Sequence, residues 1–156
     1  MSTQTAEANN VVNEYLERHW RMLLRDDVPD PNKYKQAILL VGTGATLDTI
    51  RFLRAQGYRN LSVHDVGHAD LNKFRLPLPD ETADAIIAHA VFNTVVTERA
   101  HLVKELKRIA SGGCRLLLDL DGKIPEDKLL TVQADLIQRF DWKVLDNRRA
   151  KCILQS

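Results

Sequence analysis

The sequence predicts a three-layer α/β domain in which helices cover both faces of a mostly parallel sheet. Three apolar runs carry this prediction, at residues 37–41, 85–88 and 115–118. Each run is short and continuous, which is typical of strands buried on both faces of a parallel sheet. Segments with helical spacing of apolar residues lie between them, as the crossovers between parallel strands require.

Length and composition are those of one domain. A chain of 156 residues with 44% hydrophobic residues can bury roughly two-thirds of its unfolded surface. We expect an N-terminal tail and helix over residues 1–30 and the α/β domain over residues 31–156. The polar residues 1–10 are expected to form a disordered tail.

Charge and cysteine usage favour a cytoplasmic protein that binds neither nucleic acid nor membranes. The net charge is +1, from 22 basic and 21 acidic residues, so no basic surface for nucleic acid is expected. No apolar run reaches the roughly 18 residues of a membrane span, and residues 1–10 lack the apolar part of a secretion signal. Cys114 and Cys152 lie in predicted strands without C-x-x-C spacing, which indicates buried, reduced thiols.

The first half of the chain alternates helices and strands. A helix from Val11 ends before Pro29, and its apolar stripe is expected to pack on the sheet, a partner-binding role being the alternative. The stripe comprises Val11, Val12, Tyr15, Leu16, Trp20, Leu23 and Leu24. After the strand at 37–41, a helix over 47–56 ends at Gly57. The alternating residues 61–65 predict a half-exposed edge strand.

The second half continues the pattern. A strand over 83–88 is followed by a helix over 97–109, which we expect the pair Gly112-Gly113 to end. A strand over 114–119 and a helix over 125–140 come next. Two short strands, 142–145 and 150–154, then form a hairpin around the turn-prone pair Asp146-Asn147.

The sequence of the second half resembles that of one family. Residues 76–80 read L-P-L-P-D before a strand, and residues 112–118 read G-G-C-R-L-L-L. Both are similar to the second half of a Rossmann-like, class I methyltransferase that uses S-adenosylmethionine (SAM). The resemblance implies a sheet in the order 2-1-4-5-7-6 by the family's strand numbers, with the last strand antiparallel, and SAM as cofactor.

The loop after the first strand matches the family in part. The family reads acid-x-G-x-G-x-G there, and residues 40–46 read L-V-G-T-G-A-T. The resemblance therefore assigns Gly42, Thr43 and Gly44 to cofactor binding, with Leu40 in place of the acid that helps hold the methionine ammonium group. Asp48 lies near enough to substitute for that acid, or it stabilises the helix dipole. A nicotinamide site is disfavoured because Leu47 occupies the third glycine of G-x-G-x-x-G.

Asp65 ends the second strand, where the family places a carboxylate that accepts hydrogen bonds from both ribose hydroxyls of SAM. The alternative is that Asp65 starts a turn. By the same resemblance, Asp70 or Asn72 would reach the adenine amino group.

The connection after Asp65 is shorter than in the family. Ten residues separate Asp65 from Leu76, too few for a crossover helix and a further parallel strand. We therefore expect the outer helix and strand to be missing, which leaves residues 61–65 at the sheet edge. Such an edge predicts pairing with a second copy or with a partner chain, unless the N-terminal helix covers it.

His89 is the candidate general base. It ends the 83–88 strand, which in the family faces the acceptor, and a neutral imidazole can take a proton as the methyl group arrives. The alternative is a polar strand-end residue. No metal site is expected from His64, Asp65, His68 and Asp70, because neighbours in a strand point to opposite faces.

Two functional interpretations remain open from the sequence. The first is a SAM-dependent methyltransferase acting on a small-molecule or protein acceptor. The alternative is a non-catalytic relative that binds a partner chain or another ligand, since fold alone does not determine function.

Overall fold

Six strands form one twisted sheet. The computed structural model describes residues 3–26, 29–42, 46–66, 70–120 and 124–156, with the backbone alone for residues 3–13 and 46. In chain order the strands are β1 (Ile38–Gly42), β2 (Leu61–Asp65), β3 (Ala83–His89), β4 (Ala110–Asp119), β5 (Lys143–Arg148) and β6 (Lys151–Gln155).

Helices cover both faces of this sheet. They are α1 (Thr3–Leu24), α2 (Thr46–Ala55), α3 (Val96–Ile109) and α4 (Leu129–Phe140). The first apolar core lies between the sheet and α1 and α2, and the second lies between the sheet and α3 and α4. This is the predicted three-layer arrangement.

The order of the strands confirms the predicted topology. The sheet runs β2-β1-β3-β4-β6-β5, which is the expected family order with one outer strand removed. Strands β1 to β4 are parallel to one another, and β6 is antiparallel to both β4 and β5. Within the described residues 66 and 70–82 there is no helix or strand, so the outer helix and strand are missing as predicted.

The short connection is fastened to α3 instead. Arg108 donates hydrogen bonds to the carbonyl oxygens of Leu76 and Leu78, at 3.0 and 2.8 Å, and pairs with Glu105. Glu105 Oε1 accepts the amide of Leu76 at 2.7 Å, and the ion pair with Arg108 lowers the pKa of Glu105. These bonds satisfy backbone groups that a strand would otherwise pair.

The N-terminal helix packs on the sheet as predicted, although it starts earlier. The side chains of Tyr15, Leu16, Leu23 and Leu24 are buried against the core that contains Leu40. Helix α1 begins at Thr3, so the expected tail over residues 1–10 is wrong from Thr3 onward. No glycine or proline interrupts residues 3–10, and the alanine and glutamate found there are good helix formers.

The glycine pair has a different role from the predicted one. Helix α3 ends at Ile109 and Ala110 is already extended. The pairing of β3 with β4 then shifts register between Ala83 and Ala85, where residues 111–114 form an irregular segment inside β4. Gly113 adopts a φ of 78° there, a conformation that a side chain disfavours. The pair therefore permits a bulge rather than ending the helix.

The hairpin turn lies three residues later than predicted. Strand β5 continues through Asp146 and Asn147, and the chain turns at Arg149 and Ala150. Tyr15 donates a hydrogen bond to Asp146 at 2.7 Å, and Gln133 donates one to Asn147 at 2.9 Å. These tertiary bonds outweigh the local turn preference of the pair.

None of the helices in the described part of the chain combines the length and apolar character that crossing a bilayer demands.

Candidate functional site

A row of five residues crosses the carboxyl edge of the sheet. Register pairs Asp65 with Gly42, Gly42 with His89, His89 with Asp119, and Asp119 with Lys151. Residues that pair across neighbouring strands place their side chains on the same face. We call these five residues the edge row. It lines the end of a largely parallel sheet, where ligands of such folds bind.

The face on which the edge row lies follows from the period of two along each strand. Leu40, two residues before Gly42, packs in the core under α1 and α2, whereas Val41 packs in the core under α3 and α4. The edge row therefore continues the face of Leu40. Asp65 and His89 flank Gly42 at two strand spacings, about 10 Å apart.

His89 is held by a buried carboxylate. Its Nδ1 lies 3.1 Å from Oδ2 of Asp119, whose side chain is 2% exposed. A carboxylate only accepts hydrogen bonds, so Nδ1 carries the proton and donates it. In the neutral ring, Nε2 then has the lone pair. The His89 side chain is 22% exposed, so solvent or a ligand reaches part of the ring.

Lys151 completes this cluster from the antiparallel strand β6. Its Nζ lies 3.8 Å from Oδ1 of Asp119, the carboxylate oxygen that does not face His89. A carboxylate with so little exposure needs compensating charge. The ammonium group of Lys151 provides that charge, and the imidazole of His89 adds a hydrogen bond from the other side.

The backbone just after His89 is tightly constrained. Ala90 has a φ of 53°, a left-handed conformation that costs energy for a residue with a Cβ. Its amide donates a hydrogen bond to the carbonyl oxygen of Asp119 at 2.9 Å. The ends of β3 and β4 are therefore tied together where His89 and Asp119 meet.

Gly42 has a structural reason to be glycine as well as a functional one. A Cβ at this position would come within 3.1 Å of the carbonyl oxygen of His89, closer than ordinary contact. Because glycine has no Cβ, no side chain stands between Asp65 and His89 at the centre of the edge row.

The position of the missing family acid is part of the core. Leu40 is 2% exposed and packs with the α1 and α2 side chains. Asp48, the suggested substitute, lies in the first turn of α2 and is 3.9 Å from Arg51. It remains a candidate for either role.

Asp70 and Asn72 lie together on an exposed turn beyond β2. The Oδ1 atom of Asp70 accepts the amide of Asn72 at 3.0 Å, as in an Asx-turn. The Asp70 carboxylate thus has a local structural role. Binding of adenine by either residue stays a prediction.

Several predicted site residues fall outside the part of the chain that the structure describes, namely Thr43, Gly44 and His68. Among the residues that are described, no group of three or more histidines, cysteines, aspartates or glutamates is arranged to hold a metal ion. His64 shares a register row with Val41, so it points to the face opposite Asp65.

Sequence reasoning missed Asp119 and Lys151 as members of the site. The signal for Asp119 was present, because it ends a buried strand adjacent to the one that ends at His89. Lys151 gave no comparable signal, since its place depends on the antiparallel pairing of β6 with β4 and on a turn that was predicted three residues too early.

Comparisons with known proteins agree with this fold. The sequence profile of a family described as a methyltransferase domain matches residues 39–118, which is just over half of the chain. A SAM-dependent methyltransferase from Aquifex aeolicus is 17% identical with a TM-score of 0.52, over 94% of this chain and 96% of that one.

A second solved structure is similar over the whole chain. The 1,6-didemethyltoxoflavin-N1-methyltransferase of Burkholderia thailandensis is 10% identical with a TM-score of 0.56, over 100% of this chain and 91% of that one. No match was found among curated protein sequences. None of these findings favours the non-catalytic alternative. From the match over residues 39–118 and the six-strand topology, the chain belongs to the methyltransferase-domain family, within the class I SAM-dependent methyltransferases.

Proposed function

We propose that this protein transfers a methyl group from SAM to a small-molecule or protein acceptor that loses a proton in the reaction. The observation that carries this proposal is the edge row, in which an exposed carboxylate and a carboxylate-bound imidazole flank a glycine at the carboxyl edge of a methyltransferase fold.

The residues present suit SAM by their chemistry. Asp65 is exposed at the end of β2, and its two acceptor oxygens match the vicinal hydroxyls of a ribose. Gly42 leaves room beside it, and the resemblance adds Thr43 and Gly44 in the following loop. Asp70 and Asn72 are proposed for the adenine. SAM supplies an electrophilic methyl group on a sulfonium centre.

His89 acts as the general base in this proposal. Its Nε2 lone pair accepts the proton of an acceptor hydroxyl, amine or thiol as the heteroatom gains the methyl group. Asp119 accepts the hydrogen bond from Nδ1 and stabilises the imidazolium that forms. Beyond this, methyl transfer mainly requires that the reacting groups are held in line.

The rim of the site favours an acceptor with an apolar surface. Leu47 lies in the first turn of α2 after β1, and Val95 and Val96 lie at the start of α3 after β3. All three are exposed, at the edge of the sheet that carries the edge row. The Burkholderia structure contains bound 1,6-didemethyltoxoflavin and S-adenosylhomocysteine (SAH), and by analogy a small-molecule acceptor is proposed here.

Calorimetric titration with SAM and SAH tests the proposal without knowledge of the acceptor. We expect saturable binding by the wild-type protein. The Asp65→Ala variant should bind about 10- to 100-fold more weakly, because hydrogen bonds to a charged group contribute about 1.5–3 kcal/mol. Asp30→Ala is the comparison variant, since it removes an exposed carboxylate that precedes β1 and lines a cavity at the opposite end of the sheet, and it should leave the affinity unchanged. Equal affinities in both variants would remove Asp65 from the site.

We also propose that β2 pairs with β2 of a second copy. The described strands leave β2 at the sheet edge, and Val63 is 42% exposed there. Ile38 N–H donates to Asn60 O, so by the alternation of a parallel ladder Ser62 and His64 face β1 while Val63 points its amide outward. That amide is available to a partner strand.

A cytoplasmic location and a single functional domain complete the proposal. Cys114 and Cys152 are both buried as thiols, and burial raises the pKa of each to about 12, which suits a reducing compartment. Residues 1–30 supply a helix to the same core as residues 31–156, which supports one cooperative unit.

A further inference from the structure

We propose that Asp119 and Lys151 are positioning residues that fix His89 in the tautomer with the proton on Nδ1, so that Nε2 is the basic atom toward the acceptor. This inference rests on the proposed function and assigns a role to two residues that the sequence did not single out. It specifies which nitrogen of His89 accepts the proton, in addition to naming His89 as the base.

The hydrogen bond between Asp119 and His89 sets the tautomer of the ring. Asp119 Oδ2 and His89 Nδ1 are 3.1 Å apart, within the range of an N–H···O bond. Because the carboxylate cannot donate, the Nε2–H tautomer of a neutral ring would place two lone pairs against each other at this distance. The carboxylate therefore selects the Nδ1–H form.

Contacts to both carboxylate oxygens keep the Asp119 side chain in place. Asp119 is 2% exposed, and its Oδ1 faces Lys151 Nζ at 3.8 Å. The ammonium group engages one oxygen while the imidazole engages the other, which fixes the carboxylate plane. The Asp119 backbone also accepts the amide of Ala90, so the strand ends that carry the pair cannot slide independently.

The tautomer of His89 determines whether Nε2 can accept a proton during catalysis. In the methyl-transfer step the acceptor heteroatom would form its bond to the methyl carbon, and the methyl–sulfur bond of SAM would break with its electron pair going to sulfur to leave SAH. The X–H bond would break with its electron pair staying on the heteroatom and its proton ending on Nε2 of His89. The ring is then an imidazolium with Asp119 as its neighbour. A ring in the other tautomer has no lone pair on Nε2 and cannot accept that proton, as happens when a catalytic histidine loses the carboxylate that orients it.

His101 provides an internal control for the tautomer of His89. His101 Nε2 lies 2.7 Å from the carbonyl oxygen of Phe74. A carbonyl oxygen only accepts, so His101 carries its proton on Nε2. The two histidines are therefore expected to be opposite tautomers in one molecule.

Nitrogen-15 NMR of the histidine side chains tests this directly. In SAH-free wild-type protein at alkaline pH, where imidazoles are neutral, we expect the His89 signals of an Nδ1–H ring and the His101 signals of an Nε2–H ring. His89→Gln and His101→Gln provide the assignments. An Nε2–H ring for His89 in the wild-type protein would overturn the proposal, whatever any variant does.

Two variants extend the test to the positioning residues. Asp119→Asn can donate as well as accept, so the His89 ring should become a mixture of tautomers while the His101 signals stay unchanged. Lys151→Gln is the second variant, should Asp119→Asn fail to fold, and it should broaden or shift the His89 Nδ1 signal because the carboxylate loses its second anchor. Unchanged His89 signals in a folded Lys151→Gln protein would remove Lys151 from the assignment.

The outcome is separable from the proposed function. If SAH binds by calorimetry and His89 is an Nε2–H ring, the positioning role fails and methyl transfer stands. If His89 is an Nδ1–H ring and SAH does not bind, the proposed function fails instead. With an acceptor in hand, Asp119→Asn should lower kcat and leave the SAH dissociation constant within about twofold.

Discussion

At the scale of single residues, the proposed function separates cofactor binding, assigned to Asp65, from proton transfer, assigned to His89. Asp65 and His89 lie on opposite sides of Gly42 in the edge row, about 10 Å apart by strand spacing. A substitution at one of them is therefore expected to leave the contribution of the other intact, since distant sites act additively.

His89→Ala tests this separation. Loss of the general base should lower turnover by about 10²- to 10⁴-fold. SAH affinity should stay within about twofold, because the imidazole interacts with the acceptor. Measurement needs steady-state kinetics and calorimetry on the same preparation. A large loss of SAH affinity would instead place His89 against the cofactor.

Leu40→Asp asks whether the missing acid can simply be restored. Leu40 is buried in the α1 and α2 core, so we expect the variant to lose about 3–5 kcal/mol of unfolding free energy from the cavity and the uncompensated charge. Urea unfolding measures this change. Leu40→Met is the control and should cost less than about 1.5 kcal/mol.

Tighter SAM binding by a stable Leu40→Asp protein would contradict this account of position 40. The sequence alone showed that the family acid was replaced. The buried strand predicted over residues 37–41 also implied that Leu40 is buried, but it could not show which of the two cores Leu40 joins, because that depends on which face of β1 the α1 helix covers.

At the scale of elements, the connection after β2 shows how the fold tolerates a deletion. The segment from Leu76 to Asp80 is held by Arg108 and Glu105 of α3. The sequence predicted the deletion from the ten-residue spacing. It could not predict the replacement, because the partners of Leu76 lie about thirty positions further along the chain.

Glu105 should make this connection sensitive to acid. Its pKa is lowered, chiefly by the hydrogen bond from Arg108. A carboxyl whose folded pKa lies below its unfolded value stabilises the protein above the ordinary value of 4.5, and this stability is lost as the pH falls through the folded pKa. Glu105→Gln should therefore lower stability at pH 7 and flatten the acid limb of the curve.

Urea unfolding between pH 7 and pH 3 measures that curve. Glu126→Gln is the control, because Glu126 is 78% exposed in its ion pair with Arg149 and exposed pairs contribute little. The role of Glu105 would be refuted by parallel curves for wild-type protein and Glu105→Gln across this range.

The β2 edge gives an element-scale test of association. Val63→Pro removes an amide that points away from β1, so the β1–β2 ladder keeps its bonds. We expect sedimentation at micromolar concentration to give a dimer for the wild-type protein and for Val63→Ala, which keeps the amide. Val63→Pro should be a folded monomer. A wild-type protein that sediments as a monomer would rule out pairing through β2.

Local sequence predicted that each strand and each α-helix exists, but it predicted less well where they begin and end. The hairpin turn was assigned to Asp146 and Asn147 by their turn preference, and tertiary bonds from Tyr15 and Gln133 placed both in β5 instead. The Gly112-Gly113 pair likewise indicated irregular backbone, but the irregularity is a bulge in β4 and not the predicted end of α3.

At the scale of the whole molecule, the parallel order of the strands produces the site. The parallel pairing of β1, β2, β3 and β4 brings their carboxyl ends to one edge, and the period of two then aligns Asp65, His89 and Asp119 on one face. Three apolar runs sufficed to predict a mostly parallel sheet, whereas the strand order was predicted from the resemblance to the methyltransferase family. The cluster around Asp119 needed the register between strands, which apolar periodicity does not specify.

The opposite end of the sheet offers a competing location for a polar ligand. A cavity of about 280 Å³ lies there, lined by Arg25, Lys33 and Arg115 together with Asp84 and Ser111. Its lining combines positive and negative groups near the amino ends of the parallel strands. The function proposed here requires that SAH binds at the edge row and not in this cavity.

Amide NMR mapping of SAH binding tests that requirement most directly. Titration of the labelled protein with SAH should shift the amides of Gly42, Asp65 and His89 along one saturable curve. The amides around Lys33 and Ser111 should stay within experimental error. No shifts at saturating SAH, or shifts centred on Lys33 and Ser111, would contradict the assignment of the edge row as the cofactor site.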